Sequence, residues 1–166
     1  MQIPPQLQAQ VDEAISHYPV SKRSASLPLL HLFQEHFGYI SEEMVQWIAA
    51  KLELETIKIE QIVTFYPMFR RQPAGKAHIR ICRTLSCALA GAEGLKARIC
   101  EIAGIPPLHH ANSAESPISV SPDGKFSLEE VECLASCGSG PVIMVNDDLY
   151  EHVDAEAIPT ILSKYH

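Results

Sequence analysis

Four of the five cysteines in this chain of 166 residues form two close pairs that lie far apart in the sequence. Cys82 and Cys87 are separated by four residues, and Cys133 and Cys137 by three, with 45 residues between the two pairs. Ligand spacings of three or four residues occur in both zinc and iron–sulfur sites. If both pairs bind one metal group, the fold must bring two distant loops to one point.

Three interpretations of these four thiols are open on spacing alone. They are a metal–sulfur site with four thiolate ligands, a redox dithiol, or buried cysteines that pack as small apolar residues. The dithiol lacks the compact C-x-x-C spacing. Two tight pairs, each predicted where a strand ends and a loop begins, favour the metal site over simple packing. The spacing does not separate zinc from iron–sulfur.

Cys100 and two glycines complete this prediction. Cys100 has no close partner and lies among apolar residues at helical spacing, so we expect it to pack against the core and not to bind metal. Gly138 and Gly140 follow the second pair and would let the backbone pass close to a bound group. His78 is interpreted as an ordinary strand residue, with a supporting role behind the metal ligands as the alternative.

The first part of the chain has apolar residues at helical spacing, which predicts a helical bundle over residues 1–72. Gly38 stands where a left-handed helix cap is expected, and Ser41 can cap the helix that follows. Pro28 is compatible with a helix only in its first turn. Pro73, Ala74 and Gly75 then mark a linker.

Strand-like alternation begins at Ala77 and indicates a second domain over residues 73–166. A helix is predicted over residues 88–103, and a last helix, capped by Asp154, should be bent by Pro159. The turn Ser121-Pro122-Asp123-Gly124 separates two strands. The order β-α-β-β-α indicates an α/β fold with a mixed sheet flanked by helices. The further strands are predicted over residues 118–120, 126–133, 141–145 and 150–153.

Charge and hydropathy exclude several classes of function. The net charge of −7, from 20 acidic and 13 basic residues, argues against nucleic-acid binding. No apolar run approaches the roughly 18 residues of a membrane span, and no secretory signal is predicted. An odd number of cysteines fits a reducing cytoplasm. The chain also has no evident site for an organic substrate or nucleotide, so no complete active site is expected in this chain alone.

Several motifs resemble one known family. They are LLHLFQE at residues 29–35, Thr64-Phe65-Tyr66, Gly75-Lys76 before the first predicted strand, and DGKFSLEEVECL at residues 123–134. This combination, with the spacing of the four cysteines, is similar to the NuoE family of bacterial NADH–quinone oxidoreductase, the respiratory complex I. Two positions depart from the common pattern: Ala135-Ser136 replaces Gly-Ala, and Gly140-Pro141 replaces Ala-Pro.

The resemblance implies a thioredoxin-like [2Fe–2S] ferredoxin domain in which Cys82, Cys87, Cys133 and Cys137 bind one [2Fe–2S] cluster, which favours iron–sulfur over zinc. It implies a flavoprotein partner subunit that binds NADH and FMN and exchanges single electrons with the cluster. The protein would then be cytoplasmic and peripheral on the inner membrane, without direct membrane insertion. The equivalent subunit of a soluble NAD-linked hydrogenase or formate dehydrogenase is the alternative, and a structural zinc module is a weaker one.

Overall fold

The computed structural model describes residues 1–107 and 118–165. The chain divides into two compact units, Met1–Pro73 and Ala74–His166. Neither described stretch contains a helix with the length and apolar character needed to cross a membrane.

Four α-helices and a short 3-10 turn, Lys22–Ala25, form the first unit. The apolar residues that repeat at helical spacing face inward, so that Leu29, Phe33 and Ile48 are fully buried in one core. The four helices are α1 (Pro5–Ser16), α2 (Ser26–Phe37), α3 (Glu42–Leu52) and α4 (Thr56–Phe65).

The helix ends of this unit follow the predicted signals. Gly38 adopts φ 83° after α2, and its N–H donates to the Gln34 carbonyl at 2.8 Å, as expected of a left-handed cap. The Ser41 hydroxyl accepts from the Met44 N–H at 3.3 Å at the start of α3. Pro28 lies in the first turn of α2, where its missing N–H is not needed.

A five-stranded mixed sheet forms the centre of the second unit, with strand order β2-β3-β1-β4-β5. β1 pairs in parallel with β3, and every other neighbouring pair is antiparallel. The strands are β1 (Ala77–Cys82), β2 (Ile118–Val120), β3 (Phe126–Val131), β4 (Ile143–Val145) and β5 (Asp148–Tyr150). The helices are α5 (Leu85–Leu89), α6 (Ala92–Ala103) and α7 (Ile158–Leu162). The predicted α/β class with a mixed sheet is therefore confirmed.

Some predicted elements differ in their bounds. The single helix predicted over residues 88–103 is two helices, because Gly91 adopts φ 101° and breaks the chain direction between them. Cys87 consequently lies in α5 and not in a loop. β3 ends at Val131, so Cys133 lies beyond the strand. Pro159 occupies the first turn of α7 and does not bend that helix.

Alternation in β1 identifies residue type but not exposure. Its polar member His78 is only 4% exposed, because both ring nitrogens have partners. Nδ1 lies 2.9 Å from the Ser127 hydroxyl and Nε2 lies 3.0 Å from Glu129 Oε2, which makes the burial of a polar ring tolerable. These contacts make His78 a residue of the sheet, consistent with the favoured interpretation.

Lys96 joins α6 to β3 by a half-buried ion pair. Its Nζ lies 2.9 Å from Glu130 Oε1 and 2.8 Å from Glu93 Oε2, and the Lys96 side chain is 14% exposed. Burial lowers the pKa of Lys96, but the bonds to Glu93 and Glu130 outweigh burial and raise it. The stabilisation is therefore complete below the ordinary pKa of 10.5 and is lost as the pH rises through the raised value.

Replacing Lys96 by methionine is therefore expected to lower the free energy of unfolding by about 2 kcal/mol at neutral pH, since two charge-assisted hydrogen bonds are lost. The matched control is Arg98→Met, because the Arg98–Glu101 pair on the same helix is exposed and should contribute less than about 0.5 kcal/mol. Urea unfolding of both variants measures the difference. Equal losses in the two variants would contradict a bridging role for Lys96.

Candidate metal centre

One edge of the sheet receives all three segments that carry the paired cysteines. β1 and β3 run in parallel with Cys82 opposite Val131, so both strands end at this edge. β4 is antiparallel to β1, so the segment that leads into β4 arrives at the same edge. Two backbone bonds hold the segments together, from the Cys82 N–H to the Val142 carbonyl at 3.2 Å and from the Arg83 N–H to the Val131 carbonyl at 3.0 Å.

The four paired cysteines occupy different local structures at this edge. Cys82 is the last residue of β1, and Cys87 lies in α5; both are buried. Cys133 lies in the loop after β3, and Cys137 begins a 3-10 turn; both are exposed. Cys100 lies in α6 and packs against the core of this unit, as expected from its helical spacing.

The thiols of Cys82 and Cys87 are hydrogen-bonded to each other, and the charge of Cys137 acts on Cys87. Cys133 is not part of this contact. Within the described part of the chain, no three His, Cys, Asp or Glu side chains are grouped closely enough to hold a metal ion. The structure thus brings the two buried thiols together with Cys137 near them, and four ligands around one group stay a prediction.

Donors around the sulfurs determine which thiol ionises first. Burial raises the pKa of the Cys82 thiol, but hydrogen bonds from the Thr84 hydroxyl and from the N–H groups of Thr84 and Leu134 outweigh burial, so its pKa is lowered. The Thr84 hydroxyl lies 3.1 Å from Cys82 Sγ. Burial, followed by the bond to Cys82, raises the pKa of the Cys87 thiol. Cys82 is therefore the thiolate of the pair.

These donors fit a thiolate-bound cluster. The Ala135 N–H donates to Cys133 Sγ at 3.2 Å, so sulfurs of both pairs accept backbone N–H bonds. Hydrogen bonds to the sulfurs are among the features that stabilise and tune iron–sulfur clusters. Sequence reasoning anticipated glycines near the sulfurs but missed Thr84, Leu134 and Ala135. Their position within or between the cysteine pairs was the available signal.

The two glycines after the second pair differ in their surroundings. A Cβ on Gly140 would lie 3.4 Å from Cys87 Sγ, so the backbone does pass close to a buried sulfur at Gly140. A Cβ on Gly138 would meet nothing within 4 Å, so the prediction of close approach does not hold there. Bonds from the His152 N–H to the Ser139 carbonyl and from the Val153 N–H to the Pro141 carbonyl fix this segment.

Ala135 adopts φ 60°, a left-handed conformation that costs a residue with a Cβ about 1 kcal/mol or more. Glycine is common here in the family that the sequence resembles, and the conformation explains why. The Ala135→Gly variant is expected to unfold with a free energy about 1 kcal/mol higher while keeping the N–H bond to Cys133. Thermal unfolding measures the gain. An unchanged or lower midpoint would show that the left-handed backbone is not strained in the native protein.

Comparison with known proteins adds independent findings. A sequence model of the thioredoxin-like [2Fe–2S] ferredoxin family matches residues 11–166. The NuoE-type subunit of the NADH-quinone oxidoreductase of Aquifex aeolicus is 37% identical over 164 residues, which cover 99% of this chain and 96% of the relative. NADH-quinone oxidoreductase subunit 2 of Thermus thermophilus is 38% identical over 141 residues, which cover 84% of this chain and 72% of the relative.

A solved structure of an NAD+-reducing [NiFe]-hydrogenase shares the fold, with a TM-score of 0.63 and 18% identity. The match covers 84% of this chain but only 22% of the hydrogenase chain. At this identity the likeness concerns the fold.

Proposed function

The chain belongs to the thioredoxin-like [2Fe–2S] ferredoxin family and to its NuoE-type members, and from this membership we propose that it is the electron-transfer subunit of an NADH-oxidising complex. In this proposal Cys82, Cys87, Cys133 and Cys137 hold one [2Fe–2S] cluster. A bound cluster of this type supplies one-electron chemistry at thiolate ligands. The partner is a flavoprotein subunit whose FMN and NADH are not bound by this chain.

The observation that carries the proposal is the convergence of both cysteine pairs at one sheet edge. Parallel pairing of β1 and β3 places Cys82 and the loop of Cys133 side by side, although they are distant in sequence. N–H groups already point at sulfurs of both pairs. A thiol set that served only as apolar packing would not need these donors, and two of its members would not be exposed.

The division between buried and exposed cysteines gives the centre two different sides. Cys82 and Cys87 face the core, where burial excludes water from their sulfurs. Cys133 and Cys137 face outward, so a partner protein can approach on their side. Electron transfer between proteins needs such an accessible side, and a protected interior limits loss of the ligands to solvent.

Among the candidate complexes, the quinone oxidoreductase is favoured over an NAD-linked hydrogenase. The quinone oxidoreductase subunits of Aquifex aeolicus, Rickettsia bellii and Thermus thermophilus are 36% to 38% identical to this chain. The hydrogenase is 18% identical and shares the fold alone. Our proposal is therefore a quinone-reducing complex, with this chain peripheral on the cytoplasmic side of the inner membrane.

The test uses the native assembly, purified through a tag on this chain, with its subunits identified by mass spectrometry. Addition of NADH without oxygen should reduce the flavin of the partner and also produce the EPR signal of a reduced [2Fe–2S] cluster. A flavin that is reduced while this chain gives no signal at any potential would contradict electron exchange. Recovery of hydrogenase subunits in place of quinone-reducing ones would overturn the choice of complex.

A further inference from the structure

A small pocket lies at the sheet edge opposite the cysteines and is lined by three lysines. Its volume is about 260 Å³, and Lys76, Lys125 and Lys164 line it together with Asn146 and Tyr165. Lys76 directly precedes β1, whereas Cys82 ends that strand, so roughly 17 Å of strand separates the pocket from the candidate metal centre. The pocket is therefore independent of the cysteines.

The three lysines come from different parts of the second unit. Lys76 precedes β1, Lys125 lies in the turn before β3, and Lys164 follows α7. They converge although the chain has only 13 basic residues and a net charge of −7. Like charges that share a concavity repel one another, so this arrangement is favourable when an anion lies between them.

Little of this positive charge is neutralised by the protein itself. Among the residues that the structure describes, the one ion pair formed by these lysines joins Lys125 Nζ to Asp123 Oδ2, at 3.9 Å. Lys164 Nζ lies 5.0 Å above the centre of the Tyr150 ring, a contact that orients the cation without cancelling its charge.

The nearby carboxylate of Asp148 is engaged elsewhere. The Tyr165 hydroxyl donates to Asp148 Oδ2 at 2.5 Å and lies 2.7 Å from the Tyr150 hydroxyl. Burial, followed by the bond to Asp148, raises the pKa of Tyr165, so its hydroxyl stays protonated and keeps this bond. Tyr165 thus forms a fixed wall of the pocket while it holds the acid.

We propose that this pocket binds a phosphate group, either free or at the end of a small metabolite. Its volume of about 260 Å³ is below that of sites for larger organic ligands and suits a compact dianion. Lysine ammonium groups bind phosphate as point charges, and three of them outweigh the two charges of the ligand. The backbone N–H groups of Lys76 and Ala77 are bonded to Gly124 and Lys125 carbonyls, so the side chains provide the recognition.

The test is calorimetric titration of the full cluster-loaded chain with inorganic phosphate, in a chloride buffer of low ionic strength. We expect saturable binding with a Kd on the order of 1 mM, and roughly tenfold weaker binding in the Lys76→Gln/Lys164→Gln double variant. Lys58→Gln in α4 of the first unit is the control and should bind as the wild type does. Visible absorption in the same samples should be equal, because the cysteines are untouched.

Two further measurements complete the assignment. In ¹⁵N-labelled wild-type protein, phosphate should shift the amide signals of Ala77 and Lys125, a readout that does not depend on how the double variant folds. Tighter binding of AMP than of phosphate would assign the group to a metabolite, and equal binding would assign free phosphate.

Three outcomes would overturn the proposal. They are the absence of saturation, equal affinity in the double variant, and tighter binding of a glutamate-rich peptide than of phosphate, which would make the pocket a protein-docking site. Because cluster content is read separately by absorption, failure of phosphate binding leaves the electron-transfer proposal unaffected.

Discussion

Replacement of Cys87 by serine is expected to abolish cluster binding, whereas replacement of Cys100 by serine is expected to leave it intact. Cys87 is buried and hydrogen-bonded to Cys82, and a serine hydroxyl there cannot replace a soft thiolate ligand. Cys100 packs in α6 and is the matched control for loss of a cysteine in the same unit. After reconstitution, iron and sulfide in Cys87→Ser should fall below roughly a tenth of the wild-type content.

The same loss is expected for serine at Cys82, Cys133 or Cys137, so the full series tests the ligand set. Iron loss in Cys100→Ser would contradict the assignment. Full retention in Cys133→Ser would also contradict it, and this variant is the most informative of the three because the Cys133 thiol is not in contact with Cys82 and Cys87. Circular dichroism of each variant distinguishes loss of the cluster from loss of the fold.

Replacement of Gly75 by alanine is expected to be severely destabilising. A Cβ at this position would lie 2.5 Å from the carbonyl carbon of Phe126 and 2.7 Å from its oxygen, in the first residue of β3. Both contacts are with backbone, so no side chain can move aside. We expect a loss of about 3 kcal/mol in the free energy of unfolding, at the upper end of the usual cost of overpacking.

Gly94→Ala is the matched control, because a Cβ at Gly94 in α6 would meet nothing within 4 Å. Alanine favours a helix over glycine, so this variant should gain about 0.5 to 1 kcal/mol. Denaturant unfolding of the two variants should therefore move in opposite directions. A Gly75→Ala variant as stable as the wild type would show that β1 and β3 can separate at their starts, and the parallel pairing that positions the cysteines would then be in doubt.

The fold could be predicted largely because local signals agree with the tertiary structure. Gly38 and Ser41 mark the ends of helices at positions where the structure has them, and the Gly124 N–H closes the predicted turn on the Ser121 carbonyl at 2.8 Å. The errors lie where short elements meet. Nothing in the sequence between Thr84 and Gly91 showed a five-residue helix, because helical periodicity cannot be detected over so few residues.

The candidate site was predictable in its ligand types but not in its supporting contacts. The two cysteine pairs identify a metal–sulfur site by residue type and spacing, and membership of the family now confirms the iron–sulfur interpretation. The bonds from backbone N–H groups to Cys82 and Cys133 depend on loop conformation, which no side-chain pattern encodes. The left-handed backbone of Ala135 is a further example, since alanine gives no signal for it.

The pocket at the opposite edge illustrates the same limit. Lys76, Lys125 and Lys164 are separated by dozens of residues, and only the pairing of β1 with β3 and the position of α7 bring them together. The sequence showed basic and acidic stretches as averages along the chain. Local concentration of charge depends on which ends of strands share an edge, and that information is tertiary.

The most direct test of the central claim is metal and sulfide analysis of the purified chain, combined with EPR spectroscopy before and after reduction. The account predicts a coloured protein with equal amounts of iron and acid-labile sulfide, silent in EPR when oxidised and giving the signal of one unpaired electron per cluster when reduced. A colourless protein that holds zinc in stoichiometric amount and no iron would contradict it.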